Sequence, residues 1–186
     1  MEIRAWDRAK NWQKKYTDVQ RAGRFIYLNR TCFNGLHRVN SRGEFNVPMG
    51  AYKNPDFVQV NNIRNTSRLL QLTEAEIRVE SFEHVLDKAK KGDFVYLDPP
   101  YDTLTETANF TSYNKDDFGR DMQKRLADVF RKLDAMGCKV MLSNHNTPFI
   151  RELYTGFRME IVSARRNINS KSDARGGVEE IVVLNY

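Results

Sequence analysis

The stretch that decides the fold is DFVYLDPPYD, residues 93–102. Its apolar and aromatic run, FVYL, predicts a short buried strand, which an acidic residue, two prolines and a tyrosine follow directly. Two adjacent prolines cannot continue a strand, because each has a fixed φ and no backbone N–H to donate. The stretch therefore predicts a strand that ends in a stiff turn, with Asp98 before the prolines and Tyr101 after them.

Extended and helical patterns alternate around this stretch. Strands are predicted at 76–80, 138–144, 157–164 and 178–186, and helices at 81–92, 115–137 and 147–156. In the longest helix, Leu126, Phe130 and Leu133 form an apolar stripe, and Gly137 ends the helix. The alternation predicts an α/β fold with a sheet covered by helices.

The region before the alternation has a different character. Residues 2–31 predict two helices and residues 60–73 a further one. Between them, glycine, proline and asparagine are frequent, and we expect an irregular β-hairpin at about 34–53. We therefore divide the chain into a helical and hairpin region, 1–73, and an α/β region, 74–186.

Composition excludes several classes of protein. The chain has 186 residues, 40% hydrophobic and 29% charged, as is typical of a soluble globular protein. No apolar run approaches the roughly 18 residues of a membrane span, and the N-terminus does not resemble a signal peptide. Two distant cysteines and three scattered histidines, which we interpret as surface groups or groups behind a site, make no metal-ligand spacing. We predict no metal and a cytoplasmic location.

Positive charge is concentrated in the first third of the chain. The net charge is +6. The clustered basic residues are Arg4, Arg8, Lys10, Lys14, Lys15, Arg21, Arg24, Arg30, Arg38, Arg42 and Lys53. Such a cluster favours a polyanionic partner such as nucleic acid, and a solvated helical face is the alternative.

The turn at 98–101 carries polar and aromatic groups that are suited to binding a ligand. Ligands of open α/β sheets bind at the carboxyl ends of the strands, where Asp98 is predicted to lie. The Asp98 carboxylate and a fixed proline carbonyl are two acceptors, which suit an amino group with two hydrogens. Tyr101 offers a flat face to a ring. An ordinary proline turn is the alternative.

Four separated segments carry a family resemblance. They are FIYLNRTCFNGLHRVNSRGEFNVP (25–48), VYLDPPYDTLTETANFTSYN (95–114), VMLSNHNT (140–147) and ARRNINSKSDARGGVEE (164–180). In this order they resemble the Dam family of DNA adenine-N6 methyltransferases, which bacteria and phages encode. DPPY alone is shared with other amino-methyltransferases. The run NGL-x-R-x-N-x-x-G-E-F-N-V-P is more specific and points to the subgroup that methylates GATC.

The resemblance implies a fold, a cofactor and catalytic roles. It implies a partial Rossmann-like class I methyltransferase sheet, S-adenosylmethionine as methyl donor and double-stranded DNA as partner. Asp98 and the Pro99 carbonyl would accept the two hydrogens of the adenine amino group, which favours the pyramidal nitrogen of the transition state. Pro100 would stiffen the turn, and Tyr101 would stack on an adenine flipped out of the duplex.

The resemblance also implies residues that bind the cofactor. Besides Asp98, these are Ser81 and Phe82, for which a helix cap and a core aromatic are the alternatives. The family's glycine-rich F-x-G-x-G turn fits at none of the ten glycines. We therefore expect the N-terminal cofactor-binding segment of such an enzyme to lie outside these residues.

Sequence reading is assigned to the hairpin by the same resemblance. The DNA-binding positions that it implies are Asn34, Leu36, Arg38, Asn40, Pro48, Tyr52, Lys53, Arg165, Arg166 and Asn167. Arg38 would read guanine, Leu36 and Pro48 would touch bases, Tyr52 would wedge into the stack, and Lys53 would bind phosphate. The segment 107–114 would close over the target.

Three alternatives stay open at this point. The chain could be a truncated, inactive remnant of such an enzyme or a stand-alone DNA-binding module. A cytosine-N4 methyltransferase is the nearest chemical alternative, because it uses a similar turn. The acidic residue before the prolines favours adenine.

Overall fold

The computed structural model describes residues 16–53, 56, 58–103, 118–164 and 178–186. The chain divides into two compact units, residues 1–77 and 78–186. The first predicted helix within 2–31 and the predicted closing loop at 107–114 lie outside the described residues.

Two helices of the first unit agree with the sequence prediction. Helix α1 spans Asp18–Thr31 and begins at a capping box, in which the Thr17 hydroxyl accepts from the Gln20 backbone N–H. The Gln20 side chain returns a hydrogen bond to the Thr17 backbone, so two N–H groups that lack helical partners are satisfied at once. Helix α2 spans Val60–Leu72.

An irregular hairpin lies between these helices, as predicted. Two antiparallel bridges, Cys32 with Met49 and Val39 with Phe45, join its arms. The Asn40 side-chain oxygen accepts the backbone N–H groups of Arg42 and Glu44, each at 3.0 Å, and so shapes the turn. Leu28, Cys32 and Phe45 form a small buried cluster that fastens the hairpin to α1.

The second unit is built on one mixed sheet, which confirms the α/β prediction at that level. Its strands are β1 (Phe94–Leu97), β2 (Lys139–His145), β3 (Arg158–Ala164) and β4 (Val178–Leu184). The spatial order is β1-β2-β4-β3. β1 and β2 are parallel, whereas β4 is antiparallel to both of its neighbours.

Two α-helices complete the described part of this unit. Helix α3 spans Arg120–Ala135, and α4 spans Pro148–Leu153. The predicted stripe of α3 is confirmed, because Leu126, Phe130 and Leu133 are all buried in the core. No helix in the described ranges is long and apolar enough to cross a membrane.

Two sequence predictions in this unit are wrong. Residues 76–80 do not form a strand: Ile77 and Val79 are exposed, and no described strand forms a β-ladder with this segment. The predicted helix at 81–92 is instead a 3₁₀ segment, Phe82–Asp87. Phe82 and Val85 both pack on the core, and side chains three residues apart share a face when there are three residues per turn.

Two glycines should respond to alanine in opposite directions. Gly137 ends α3 with φ +80°, where an alanine Cβ is strained, so Gly137→Ala should cost about 1–2 kcal/mol of unfolding free energy. Gly23 lies inside α1, and apart from its chain neighbours and the helix's own nearby backbone no atom of the described residues lies within 4 Å of an added Cβ, so Gly23→Ala should stabilise α1 by about 0.5–1 kcal/mol. Urea unfolding measures both, and equal shifts would contradict the backbone argument.

Candidate catalytic turn and hairpin

The predicted catalytic turn lies where two parallel strands end side by side. Leu97 of β1 pairs with Leu142 of β2, so the next residue of each chain, Asp98 and Ser143, are neighbours. The Ser143 hydroxyl donates to Asp98 Oδ1 at 2.9 Å and lies 2.9 Å from the Tyr96 hydroxyl. Asp98 is exposed, and its second carboxylate oxygen has no hydrogen-bond partner among the described residues. One oxygen of Asp98 is therefore held by a hydrogen bond from Ser143, and the carboxylate as a whole remains exposed.

The two proline carbonyls differ in their surroundings. The Pro100 carbonyl accepts a hydrogen bond from Gln123 Nε2 at 2.8 Å. The Pro99 carbonyl has no donor in the part of the chain that the structure describes. Asp98 Oδ2 and the Pro99 carbonyl, the two acceptors that the family resemblance implies, are thus both without a donor among the described residues.

Tyr101 is held as a neutral, half-buried ring. It meets His145 edge to face, with centroids 5.1 Å apart and planes at 84°. Burial raises the pKa of its phenol above the ordinary value, and the carboxylates of Glu180 and Asp98 raise it further. The phenol therefore stays protonated at neutral pH. His145 is buried behind Tyr101, which agrees with one of the two interpretations made from the sequence.

A buried carboxylate follows the turn, and sequence reasoning missed it. Asp102 is 6% exposed, and its Oδ2 accepts from the Thr147 hydroxyl at 2.7 Å. Its backbone N–H donates to Asn144 Oδ1 at 2.9 Å, and Arg120 Nε lies 3.6 Å from its Oδ1. The signals were an acidic residue after DPPY and the polar run SNHNT, residues 143–147, after an apolar strand.

The two residues predicted to bind the cofactor beside Asp98 lie at the start of the 3₁₀ segment. Ser81 occupies the position before it, but its hydroxyl donates to Glu83 rather than capping the backbone. That hydrogen bond is the largest cause of the lowered pKa of Glu83, which also pairs with Arg125. Phe82 is half-buried, with its ring 5.6 Å from that of Phe118.

In the hairpin, Arg38 is oriented by its neighbour across the two arms. Its Nε donates to Asn46 Oδ1 at 2.9 Å, and its carbonyl accepts the Asn46 N–H at 3.1 Å. The side chain is exposed, and its two terminal nitrogens have no partner among the described residues. The guanidinium is therefore aimed by one hydrogen bond while the bidentate end of the fork is left open.

Several other predicted DNA-binding residues lie on the exposed surface of the same unit. Exposed positions are Asn34, Leu36, Pro48, Tyr52 and Lys53. Asn34 adopts φ +53°, in the left-handed region. The Tyr52 hydroxyl donates to the Cys32 carbonyl at 3.2 Å, so the predicted wedge is docked on its own hairpin. The Asn40 amide is engaged within the turn.

The remaining predicted DNA-binding residues, Arg165, Arg166 and Asn167, lie outside the described residues. Across the described ranges, no group of three or more His, Cys, Asp or Glu side chains could hold a metal ion.

Comparisons with known proteins assign the family. Residues 2–168 match the family model of the D12 class N6 adenine-specific DNA methyltransferases. Over 171 residues, 91% of this chain and 58% of the relative, the chain is 48% identical to the type II methyltransferase M.MjaIII of Methanocaldococcus jannaschii. It is 44% identical over 186 residues, all of this chain and 65% of the relative, to the type II methyltransferase M1.LlaDCHI of Lactococcus lactis subsp. cremoris.

A third relative is the DNA adenine methylase of Escherichia coli strain K12, 37% identical over 175 residues, 94% of this chain and 62% of the relative. An α/β sheet with a DPPY turn and matches of this extent define the class. The chain belongs to the D12 class N6 adenine-specific DNA methyltransferase family, and the family resemblance inferred from the sequence is confirmed. The chain spans about three fifths of the length of these curated relatives.

The substitution Ser143→Ala tests whether the Ser143 hydroxyl orients the Asp98 carboxylate. Ser143→Ala leaves Asp98 without its donor and should cost about 1 kcal/mol of stability. If the turn acts in methyl transfer, as proposed below, the rate should fall about tenfold in this variant, because the carboxylate loses its fixed orientation. Ser163→Ala, at an exposed position of β3, is the matched control. An unchanged rate in the Ser143 variant would contradict the orienting role.

Proposed function

We propose that this chain is a site-specific DNA methyltransferase that transfers a methyl group from S-adenosylmethionine to N6 of a flipped adenine, in the sequence GATC. The observation that carries the proposal is the pair of acceptors at the end of β1, Asp98 Oδ2 and the Pro99 carbonyl, neither of which has a donor among the described residues. Family membership supports adenine as the base, and the hairpin supports double-stranded DNA as the partner.

The acceptor pair explains how a poor nucleophile can be activated. The amino lone pair of adenine is delocalised into the ring, so attack requires the nitrogen to become pyramidal as positive charge develops on it. Two fixed acceptors stabilise that geometry through both N–H groups. Because Ser143 holds one oxygen of Asp98 at 2.9 Å, little reorganisation is needed when the base arrives.

Tyr101 would supply the platform for the flipped base. A neutral aromatic ring gains stacking energy with any base, about 1–3 kcal/mol per base in nucleic-acid complexes. Its ring is fixed by the edge-to-face contact with His145 at 5.1 Å. Unstacking a base costs a few kcal/mol, and stacking on Tyr101 would offset part of that cost.

S-adenosylmethionine supplies an electrophilic methyl group on a positively charged sulfur. The residues present fit part of this group. The half-buried Phe82 offers a ring face to its adenine, and the Asp98 carboxylate suits its positive charge. The Ser81 hydroxyl is engaged with Glu83, so its part would require that contact to open.

The sheet supports the finer fold assignment. A last strand placed antiparallel between β2 and β3 fits the expected part of a Rossmann-like class I methyltransferase sheet. The hairpin unit, residues 1–77, would then be the target-recognition region and the unit from 78 the catalytic region.

Sequence reading would be carried by Arg38. Arginine reads guanine through two parallel hydrogen bonds to O6 and N7, which need the terminal nitrogens of the guanidinium. Asn46 occupies Nε alone, so the guanidinium is oriented while its terminal nitrogens have no partner among the described residues. Leu36 and Pro48 are exposed on the same hairpin and would make apolar contacts to bases, plausible for the thymine methyl.

Two arginines of the hairpin should respond differently to alanine. Arg38→Ala should cost about 1–3 kcal/mol of binding to GATC DNA and relax one base position. Arg42, which pairs with Glu44 at 3.4 Å in the turn, is the matched control, and its loss should weaken binding to all sequences equally. Fluorescence anisotropy on duplexes with single base changes measures both. A uniform loss for Arg38→Ala would identify a phosphate contact instead.

The test of the proposal is the transfer of labelled methyl from S-adenosylmethionine to a GATC duplex by this chain. When the expected N-terminal cofactor-binding segment is supplied with the chain, we expect label in the unmodified duplex and none in a duplex that already carries N6-methyladenine on both strands. DNA binding without transfer would favour the binding-module alternative. Neither binding nor transfer would favour an inactive remnant, and label on cytosine would favour the cytosine-N4 alternative.

A further inference from the structure

Tyr101 lies between two main-chain groups that are both held by buried side chains. Before it, the Pro100 carbonyl accepts from Gln123 Nε2 at 2.8 Å. After it, the Asp102 N–H donates to Asn144 Oδ1 at 2.9 Å. Gln123 belongs to α3 and Asn144 to β2, so the turn is fastened to a helix and to a strand.

The two side chains also bond to each other, which completes a chain of amides. Asn144 Nδ2 donates to Gln123 Oε1 at 3.1 Å. At one end the backbone N–H groups of Asp102 and His145 require an oxygen, and at the other end the Pro100 carbonyl requires a donor. Only one orientation of each amide satisfies both ends. The order of donors and acceptors is therefore fixed by the backbone at its two ends.

The burial of these amides makes the arrangement hard to explain as packing. Gln123 is 1% exposed and Asn144 is 0% exposed. Gln123 lies on the same face of α3 as Leu126 and Ala127, three and four residues later, where an apolar side chain would fill the space without a desolvation cost. A glutamine at this position gives up hydrophobic burial, and its hydrogen bonds instead fix the conformation of the turn.

A second set of contacts holds the far side of the turn. The Asp102 carbonyl accepts from His145 Nδ1, and the Asp102 carboxylate accepts from Thr147 at 2.7 Å. Thr147 also caps α4 by accepting from the Ile150 N–H at 3.2 Å. Asp102 therefore ties the end of the turn to β2 and to the start of α4.

We infer that Gln123 and Asn144 are positioning residues, whose amide chain fixes the Pro99 carbonyl and the Tyr101 ring for the amino group of the target base. The inference deepens the proposed function and rests on it for the identity of that base. By occupying the Pro100 carbonyl, Gln123 also leaves Pro99 as the main-chain acceptor. The chemistry recognised is an exocyclic amino group on a flat ring.

Two substitutions of Gln123 test this role. Gln123→Met keeps the volume and removes both hydrogen bonds, so kcat should fall about 10- to 100-fold while the Kd for DNA is unchanged. Gln123→Glu can donate to the Pro100 carbonyl only while its carboxyl is neutral. Relative to the unchanged chain, its kcat should be close to normal at low pH and fall as the pH rises through the pKa of that carboxyl, which burial raises.

A second measurement does not depend on methyl transfer. Hydrogen exchange of the Asp102 amide should accelerate about tenfold in Gln123→Met, because Asn144 loses the partner that orients it. In Gln123→Glu the protection should return at low pH. The amides of Met141 and Leu142, inside β2, are the reference and should not change.

The two measurements separate this inference from the proposed function. If the unchanged chain, supplied with the N-terminal cofactor-binding segment, transfers no methyl group, the proposed function fails, and the exchange experiment still decides whether the amide chain holds the turn. Unaltered Asp102 exchange in Gln123→Met overturns the inference. A normal kcat in Gln123→Met also overturns the inference, since the amide chain of Gln123 and Asn144 would then have only a structural role. A kcat of Gln123→Glu without pH dependence relative to the unchanged chain also contradicts it.

Discussion

Replacing Asp98 by alanine or asparagine should lower the rate of methyl transfer about 100- to 1,000-fold, which is the usual effect of losing one preorganised group that stabilises developing charge. Alanine removes the acceptor altogether. Asparagine keeps an oxygen for the Ser143 hydroxyl, now 2.9 Å from Asp98 Oδ1, but turns an N–H₂ group toward the target amino group, where two donors repel. Both variants should keep the Kd for DNA, because in the proposed mechanism Asp98 acts on the reacting nitrogen.

The matched control is Asp87→Asn. Asp87 is an exposed carboxylate in the same unit, paired with His84 at 3.1 Å, and its loss should leave the rate within about twofold, as for most surface substitutions. Single-turnover transfer of labelled methyl to a GATC duplex measures all three variants. If Asp98→Asn retained more than a tenth of the rate, the carboxylate would not be the acceptor that carries catalysis.

Local signals were enough to predict the strand β1 and the proline turn that follows it. An apolar run followed by DPPY places Asp98 at the carboxyl end of a strand, and the structure puts it beside Ser143 of the neighbouring parallel strand. The stripe of α3 was equally predictable, because Phe130 and its neighbours repeat at helical spacing. These features depend on short stretches whose own residues decide the outcome.

Features that depend on distant partners were not predictable. The amide chain joins Pro100, Gln123 and Asn144, and no spacing rule links a glutamine in a helix to a carbonyl 23 residues away. The strand predicted at 76–80 failed for a related reason: EIRVE has strand composition, but a strand requires a partner that composition does not specify. In both cases the outcome depends on contacts between residues that are far apart in the sequence.

The second large expected effect is a loss of stability on substitution of Phe130 in the hydrophobic core of the α/β unit. Phe130 is 0% exposed, with ring centroids 5.3 Å from Tyr154 and 4.8 Å from Phe157. Phe130→Ala should cost about 3–5 kcal/mol of unfolding free energy, because the lost contacts and the cavity add. A natural domain has about 5–15 kcal/mol in all, so this single change removes much of the margin.

Two controls separate cavity formation from general loss of an aromatic ring. Phe130→Leu keeps most of the volume and should cost about half as much or less. Phe94→Ala removes a ring that is 58% exposed and should cost under about 1 kcal/mol. Gln123 lies seven residues before Phe130 on the same face of α3, so the packing of Phe130 also sets where the donor to Pro100 lies. Urea unfolding ranks the three variants, and similar losses for Phe94→Ala and Phe130→Ala would show that α3 is not anchored through this ring.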